Sequence, residues 1–350
     1  MSVYKKQFKT FYACGLKAPR SKKNQQGVAL LTALLISALV TVAAVAMASR
    51  QQLDVRRTGN MLEADQAYMY ALAAEALAIQ VLNVDRGLNQ IDTLDDIWNE
   101  ELPPTIIEGG MISGSIDDLQ GRFNLNNLID VTPGNNKGKP DIEQTKMLQR
   151  VFAQVSLAKE DVQLSPFMAN RITDWIDPDL NSLADGAEDS NYLSLELPYR
   201  AANRLMTSPS ELAAVAGLSL ADVAALQPYV ATLPQAATAT SATQVNVNTA
   251  PKMVLMSLDQ NITAQIAEDL VVFRTATPFG NTADFVAELA HHQITFDPNR
   301  VSSLSVTSDY FLITSNASIG RTTLAMYSLL ERTGTGVVVI SRSIGTNEFN

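Results

Sequence analysis

An uncharged apolar run of about 21 residues, positions 28–48, constrains this chain more than any other feature. A helix of roughly 20 apolar residues can cross the hydrocarbon core of a membrane, because it satisfies all its backbone hydrogen bonds internally. Residues 1–27, which precede the run, hold seven lysines and arginines and no acid. Since basic flanks stay in the cytoplasm, we expect a single-pass chain with a cytoplasmic N-terminus and everything after Ala48 exported.

The boundary of the run leaves the processing of the chain open. A glycine, Gly27, stands immediately before the run, whereas an ordinary secretory signal has its small-residue site after the apolar region. Such a site also exists here, Ala46-Met47-Ala48 before Ser49. Ordinary signal cleavage and a plain uncleaved anchor are therefore both compatible with this stretch.

The composition is that of an acidic exported protein. The formal net charge is -10 at pH 7, and removal of the seven positive charges before the run would leave -17. Such a body argues against a nucleic-acid or anionic-lipid partner and favours cations or basic protein surfaces. The only cysteine, Cys14, lies before the run, so the exported part has no disulfide. With 46% hydrophobic residues, the chain can bury a sizeable core.

Apolar periodicity predicts a long helix first, shorter helices in the middle and strands at the end. Apolar residues recur at gaps of three and four from Leu53 to Leu82, which predicts one long helix over residues 30–82, half of it in the membrane run. Residues 92–99 look like a short acidic helix, and Pro103-Pro104 is expected to break the chain before two strands within 106–118. The middle segments predict helices at 141–154, 166–175, 212–216, 219–226, 252–258, 263–274 and 282–289. Four β-rich runs follow, at 302–307, 310–319, 324–332 and 336–342.

An acidic loop follows the predicted helix that ends at Trp175. Its oxygen-bearing residues have the spacing of an EF-hand loop, at positions one, three, five, seven (a carbonyl), nine and twelve: Asp177, Asp179, Asn181, Leu183, Asp185 and Glu188. Asp189 could replace Asp185, and Asp174 could cap a helix. Ser182 stands where an EF-hand has glycine and Pro178 stiffens the start, so a true EF-hand is not expected. The cluster favours calcium over magnesium, and the alternative is a solvated acidic loop without metal.

Two helix–turn–helix patterns in the middle of the chain raise the possibility of DNA binding. Residues 245–251, VNVNTAP, and the later Arg274 resemble DNA-binding helix-hairpin-helix modules. The second hairpin, residues 258–262, has no glycine, contains Asp259 and has few basic neighbours. We therefore expect poor phosphate affinity and interpret these units as protein-packing elements.

The leader and two internal segments together resemble one protein family. A glycine directly before the apolar run is similar to the leader of type IV pilins and type II secretion pseudopilins, which implies prepilin peptidase cleavage between Gly27 and Val28 and N-methylation of Val28. Those families carry a glutamate at the fifth mature position, where this chain has Thr32. Its lack is typical of the K-type minor pseudopilin. The segments GRFNLN (121–126) and DWIDPD…GAED…Y (174–192) also resemble that family, which carries calcium in the latter region.

The resemblance implies an α+β pilin fold, in which a long, partly transmembrane N-terminal helix packs on an antiparallel sheet. A large inserted α-helical domain would contain the helix-hairpin-helix-like units. The implied divisions are a leader (1–27), a transmembrane segment (28–48), the first part of the pilin domain (49–123), the insertion (124–303) and the C-terminal strands (304–350).

The same resemblance implies a function in protein export across the outer membrane. The chain would be a minor pseudopilin at the tip of the type II secretion pseudopilus, initiating or capping its assembly from the inner membrane. The implied partners are the minor pseudopilins I, J and H, prepilin peptidase, and exported substrates or the outer-membrane channel, with no nucleic acid. Calcium is the implied cofactor.

Two alternatives from other classes remain. One is a membrane-anchored helix-hairpin-helix DNA-binding protein, which needs a basic hairpin. The other is a calcium-dependent secreted hydrolase, which needs a catalytic constellation. The sequence has no phosphate loop, nucleophile elbow or zinc spacing, so we predict no catalytic residue and no enzymatic activity.

Overall fold

A computed structural model describes residues 26–130, 137–159, 161–235 and 242–345. The chain divides into two compact units, residues 1–61 and residues 62–350. Most of the predicted leader, residues 1–25, lies outside the described residues. The described part of the first unit, residues 26–61, is helical throughout and belongs to helix α1 (Gln26–Leu88).

The first unit has the properties of a membrane anchor. Helix α1 is long and apolar enough to cross a membrane, and its apolar side chains are exposed, such as Leu31 and Met47. Its hydroxyl groups bond back to the helix: Thr32 Oγ1 donates to the carbonyl of Ala29 at 2.9 Å. Such bonds satisfy a hydroxyl without a partner from outside the helix.

The second unit begins with the rest of α1, followed by a hairpin. Strand β1 (Leu102–Ile107) pairs antiparallel with β2 (Gly110–Asp118). Pro103 and Pro104 were expected to break the chain, yet they lie within β1. This is possible because β1 is an edge strand, where a missing N–H costs no ladder bond. The short helix expected at 92–99 is reduced to one 3-10 turn, Ile97–Asn99.

Between β2 and the next long strand lies the insertion, which is mainly helical. It contains seven α-helices in the described residues: α2 (Ile142–Ala158), α3 (Met168–Ile176), α4 (Asp189–Tyr192), α5 (Leu220–Leu226), α6 (Lys252–Leu258), α7 (Ala264–Ala276) and α8 (Thr282–His291). It also holds four two-residue strands: β3 (Phe123–Asn124), β4 (Val230–Ala231), β5 (Val245–Asn246) and β6 (Leu304–Ser305). Strand β3 pairs with β4 and β5 with β6, both in parallel.

The last three strands complete one antiparallel sheet. They are β7 (Tyr310–Ile319), β8 (Thr322–Thr333) and β9 (Gly336–Ile344), and the strand order is β1-β2-β7-β8-β9. The strand predicted at 302–307 does not join this sheet. Only Leu304–Ser305 is extended, and it pairs with β5 inside the insertion.

Two main cores result. Helix α1 packs on the sheet through Ala78 and Leu82, which meet Trp98, Phe311 and Leu330. The helices of the insertion share a separate, larger core that extends from Phe123 to Leu304. The α+β architecture expected from the sequence is therefore present, with the acidic loop located in the insertion between α3 and α4.

Candidate metal centre

Helix α3 positions the first acids of the loop. Ile172, Trp175 and Ile176 face the insertion core and are buried, and the last turn carries Asp174 inward with them. The backbone N–H of Asp177 donates to the carbonyl of Thr173 at 2.9 Å and ends the helix. Asp174 is thus a residue of the helix interior rather than a cap.

Three carboxylates converge at this point. Single oxygens of Asp174, Asp177 and Glu188 all lie within 4.8 Å of one another, and all three residues are buried. No ion pair neutralises any of the three among the described residues. Asp177 Oδ1 and both carboxylate oxygens of Glu188 are buried without a hydrogen-bond partner. Buried carboxylates that lack a donor are costly, which makes a bound cation the natural compensation.

The electrostatics of the site agree with this geometry. Burial raises the pKa of Asp177 to about 7, with a further contribution from the neighbouring Asp179, Glu188 and Asp174. Burial, followed by the charges of Asp174 and Asp179, raises the pKa of Glu188 to about 7. Burial also raises the pKa of Asp174. Without a cation, the cluster holds protons close to neutral pH.

Asp174 is held in place by the loop that follows it. It accepts hydrogen bonds from Ser182 Oγ and from the backbone N–H of Leu183, both at 3.2 Å. Gly186 lies against the carboxylate: a Cβ atom at this position would come within 1.9 Å of Asp174 Oδ2. A larger residue at 186 would therefore displace the Asp174 carboxylate from its present position.

The structure brings together two of the seven residues predicted as ligands, Asp177 and Glu188, and adds Asp174. Asp179 Oδ1 accepts from the backbone N–H and the side-chain amide of Asn181, and both residues are exposed. The carbonyl of Leu183 accepts from the N–H of Gly186 at 3.0 Å.

The other two predicted residues are also not among the three converging carboxylates. Asp185 is exposed, with a left-handed backbone (φ 56°). Asp189 accepts from the N–H of Ala201 at 3.0 Å and lies 3.5 Å from Arg200. The i, i+3 spacing of Asp174 and Asp177 at a helix end was the signal in the sequence for their shared face.

The buried carboxylates fit a hard cation. Calcium takes six to eight oxygens at 2.3–2.6 Å in loose geometry, and carboxylates are its preferred charged ligands. The unpartnered oxygens of Asp177 and Glu188 are acceptors only, and no lysine or arginine competes for them in the described ranges. Asp174, Asp177 and Glu188 would hold the ion, which would supply the positive charge that the cluster lacks.

A second acidic group has a different character. Asp85, Asp92 and Asp96 also approach within 4.8 Å of one another, but Arg332 lies among them. Arg332 bonds Asp92 at 2.6 Å and Asp85 at 3.3 Å, and its guanidinium lies over the ring of Phe311. This group is an internal ion-pair network, in which Arg332 supplies positive charge to Asp85 and Asp92.

Three arginines in and around the second helix–hairpin–helix unit bond to backbone carbonyls. Arg274 is buried and donates to the carbonyl of Val247 at 2.6 Å. Arg150 donates to the carbonyl of Ser257 at 2.6 Å, and Arg300 donates to that of Leu258. Because these arginines close the hairpin onto neighbouring helices, they are not available to a phosphate backbone.

The residues predicted to be processed, Gly27 and Val28, lie at the start of α1. Gly27 and Val28 are in its first turns and both are exposed. At the position where the pilin pattern has a glutamate, the hydroxyl of Thr32 donates a hydrogen bond within its own helix.

Comparison with known proteins decides the family. Two family models described as type II secretion system protein K match residues 121–235 and 245–307. The type II secretion system protein K of Pseudomonas aeruginosa is 37% identical over 334 residues, which cover 93% of this chain and 94% of that one. The chain belongs to the type II secretion system protein K family. The family protein of Klebsiella pneumoniae is 30% identical over 331 residues, 92% of this chain and 97% of that one.

A solved structure shows the same fold. It is a chain from the crystal structure of the GspK-GspI-GspJ complex of the enterotoxigenic Escherichia coli type 2 secretion system. The TM-score is 0.69 at 24% identity, with 83% of this chain and all of that chain covered. The protein K relatives reported above are named as secretion-system proteins, and these comparisons support neither the DNA-binding nor the hydrolase alternative.

Proposed function

We propose that this protein K family member is the tip subunit of the type II secretion pseudopilus, in complex with the minor pseudopilins I and J and next to H. The observation that carries the proposal is the structural match, which extends over all of a chain solved together with GspI and GspJ. At the tip the protein would initiate or cap assembly and contact exported substrates or the outer-membrane channel.

Two features of the chain support a terminal position. The resemblance to pilins implies that a glutamate at the fifth mature position would meet the N-terminal amine of the subunit above. Thr32 has no charge to offer such an amine, and its hydroxyl bonds its own helix. The helical insertion between β2 and β7 adds bulk that prevents another subunit from stacking above it.

The complex can be tested directly. The full chain is co-expressed with I and J in membranes, extracted in detergent and separated by size-exclusion chromatography. We expect a ternary complex that contains all three proteins. If the folded chain elutes apart from an intact I–J complex, the proposed position is wrong. Tight, salt-sensitive DNA binding in a gel shift would instead support the DNA-binding alternative.

The chain would reach this position from the inner membrane. Prepilin peptidase would cleave between Gly27 and Val28 on the cytoplasmic side, and Val28 would be N-methylated. Residues 28–48 would then span the membrane, with residues 49–123 and 304–350 forming the pilin domain and 124–303 the insertion in the periplasm. Mass spectrometry of the mature N-terminus tests this: a chain that begins at Val28 is expected, whereas one that begins at Ser49 would indicate ordinary secretion and loss of the assembly helix.

We further propose that the buried acidic centre binds calcium as a structural ion. The unpartnered oxygens of Asp177 and Glu188 support this. Asp174 is a third ligand, and Asp179, Asn181, Leu183, Asp185 and Asp189 are the remaining candidates from the loop spacing. Isothermal calorimetry on the chelator-stripped full chain in detergent should detect calcium binding, together with a rise in melting temperature. The absence of both would refute the proposal.

A further inference from the structure

Positive charge returns directly after the apolar run of helix α1. Residues 49–61 contain three arginines, Arg50, Arg56 and Arg57, and one acid, Asp54. The rest of the exported body, residues 62–350, contains 16 lysines and arginines against 35 aspartates and glutamates. The body is therefore strongly acidic, whereas the segment beside the membrane run is basic. The overall composition does not account for basic residues at this place.

The three arginines are exposed and unpaired in the described part of the chain. They lie on the surface of α1, which is helical without a break over this segment. None of them forms an ion pair or a side-chain hydrogen bond with a described residue. Asp54 has the helical spacing of a partner, four residues after Arg50 and three before Arg57, yet it pairs with neither. The guanidinium groups are therefore available to a ligand.

The geometry of the helix directs these groups toward the membrane. Arg50 and Arg57 are seven residues apart and share one face, with Arg56 beside it. At 1.5 Å per residue, Arg50 lies about 3 Å beyond the end of the apolar run, within a headgroup layer about 5–7 Å thick. Helical side chains tilt toward the N-terminus, which for Arg56 and Arg57 is the direction of the membrane. Long arginine side chains can therefore bring their charges back to the headgroups.

The exported end of the run lacks the aromatic residues that commonly anchor a helix at the membrane surface. Tryptophan and tyrosine are enriched at both membrane–water interfaces, but residues 28–61 contain neither. Arginine offers a different anchor, because its planar guanidinium binds a phosphate group through two parallel hydrogen bonds. Phospholipid phosphates are the anionic groups nearest to Arg50 in a spanning helix.

We propose that Arg50, Arg56 and Arg57 form a juxtamembrane patch that binds the phosphate groups of anionic phospholipids in the leaflet on the exported side. The inference rests on the membrane span proposed above for residues 28–48 and is independent of the tip position. Each arginine close to an anionic surface strengthens the attraction by about fivefold. The patch fixes the depth of α1 and offsets the repulsion that an anionic surface exerts on the acidic residues 62–350.

Solid-state NMR on the full chain in lipid vesicles tests the contact. The measured quantity is the dipolar coupling between isotope-labelled arginine Cζ atoms and lipid phosphorus. All proteins carry Arg20→Lys, which keeps the charge but removes the one arginine before the apolar run. Flotation of the vesicles first shows whether the chain inserts. We expect coupling in phosphatidylglycerol vesicles and a much weaker signal in phosphatidylcholine vesicles.

Two double variants locate the contact on the chain. Arg50→Gln combined with Arg57→Gln removes two of the three guanidinium groups, so the coupled signal should fall by about two thirds. Arg204→Gln combined with Arg321→Gln is the matched control, because it removes two exposed arginines of the body. The control should leave the signal unchanged.

The outcomes separate the patch from the membrane span. A chain that does not float with the vesicles refutes both. Insertion without coupling, or coupling that survives in Arg50→Gln/Arg57→Gln, refutes the patch alone. Equal coupling in the two lipids would overturn the preference for anionic phospholipid. If coupling is absent and the same double variant loses the minor pseudopilins I and J on co-purification, the arginines bind a protein partner instead of lipid.

Discussion

Asp118, at the end of β2, shows how burial sets the charge of a single acid in this protein. Its carboxylate accepts from Thr249 Oγ1 at 2.5 Å and from Ser308 Oγ at 2.6 Å. Burial raises the pKa of Asp118 to about 6, although these hydrogen bonds lower it. The folded protein therefore retains a proton that the unfolded chain, with a pKa near 3.8, releases.

The sign of the resulting pH dependence follows from proton linkage. Between about pH 4 and 6 the folded state binds more protons than the unfolded state, so stability falls as pH rises and levels off above pH 6. Asp118→Asn removes the titrating carboxylate and with it this pH dependence. The difference in unfolding free energy, variant minus wild type, should therefore be about 3 kcal/mol more positive at pH 7 than at pH 4. Urea unfolding at several pH values measures this, and parallel profiles for the two proteins would show that Asp118 does not carry the effect.

The calcium affinity of the acidic centre should increase with pH, whereas the contribution of Asp118 to folding stability decreases. Because the pKa values of Asp177 and Glu188 are about 7 in the metal-free protein, calcium must displace protons to bind. Affinity should therefore rise from pH 5 to pH 8, with net proton release near pH 6. Calorimetry in two buffers of different ionisation enthalpy measures that release. An affinity independent of pH would mean that the ion binds elsewhere.

The sequence allowed part of this centre to be predicted. Asp177 and Glu188 were found from the spacing of acids along one loop, because ligand spacing is a local property. The sequence predicts Asp174 only as a cap, since its burial depends on how α3 packs.

At the scale of the element, helix α1 in the second unit has two different faces. Leu82 is fully buried against the sheet, whereas Leu77, five residues earlier, is 52% exposed. Leu62, Met69 and Val84 are also exposed apolar residues of this helix. A soluble protein does not usually leave such a row uncovered, so these residues are suited to another helix.

A matched pair of substitutions distinguishes the two faces. Leu82→Ala should lower the unfolding free energy by about 2–5 kcal/mol, because it leaves a cavity beside Trp98 and Phe311. Leu77→Ala should change stability by less than about 0.5 kcal/mol but reduce recovery of I and J in the co-purified complex. Urea unfolding and pull-down together report both effects. Equal recovery of the partners with Leu77→Ala would exclude this face from the interface.

The elements that the sequence predicted well are those determined by local pattern. Helix α2 begins after Asp141, whose side chain accepts from the backbone N–H groups of Glu143 and Gln144, and the β-branched runs of β7 to β9 form strands as expected. The elements that differ depend on distant partners. Leu304–Ser305 pairs with β5, about 60 residues earlier in the chain, instead of joining the main sheet. The turn at 93–98 is governed by Asp96, whose carboxylate accepts from Thr93 and Trp98.

At the scale of the second unit, one buried polar network joins the sheet to the insertion. Arg332 on β8 binds Asp85 and Asp92, and Asp92 accepts from the N–H of Ser308 at 2.7 Å. Ser308 and Asn246, the latter from the insertion, both donate to Asp118. Hydrogen bonds inside a low-dielectric region reinforce one another. Loss of one member of the network should therefore destabilise both the sheet and the insertion.

The two tryptophans make this coupling measurable, because Trp98 lies in the sheet core and Trp175 in the insertion core. Arg332→Met leaves Asp85 and Asp92 buried without their cation, which should lower the unfolding free energy by about 3–5 kcal/mol.

With Trp98→Phe or Trp175→Phe as single-tryptophan backgrounds, both fluorescence probes should report one common urea midpoint when Arg332 is present. In the Arg332→Met variant the Trp98 transition should come first. Adding Asp85→Asn and Asp92→Asn should bring the midpoints together again, since no unpaired charge then remains. If the probes stay coincident in Arg332→Met, the apolar contacts rather than this network make the second unit unfold as one.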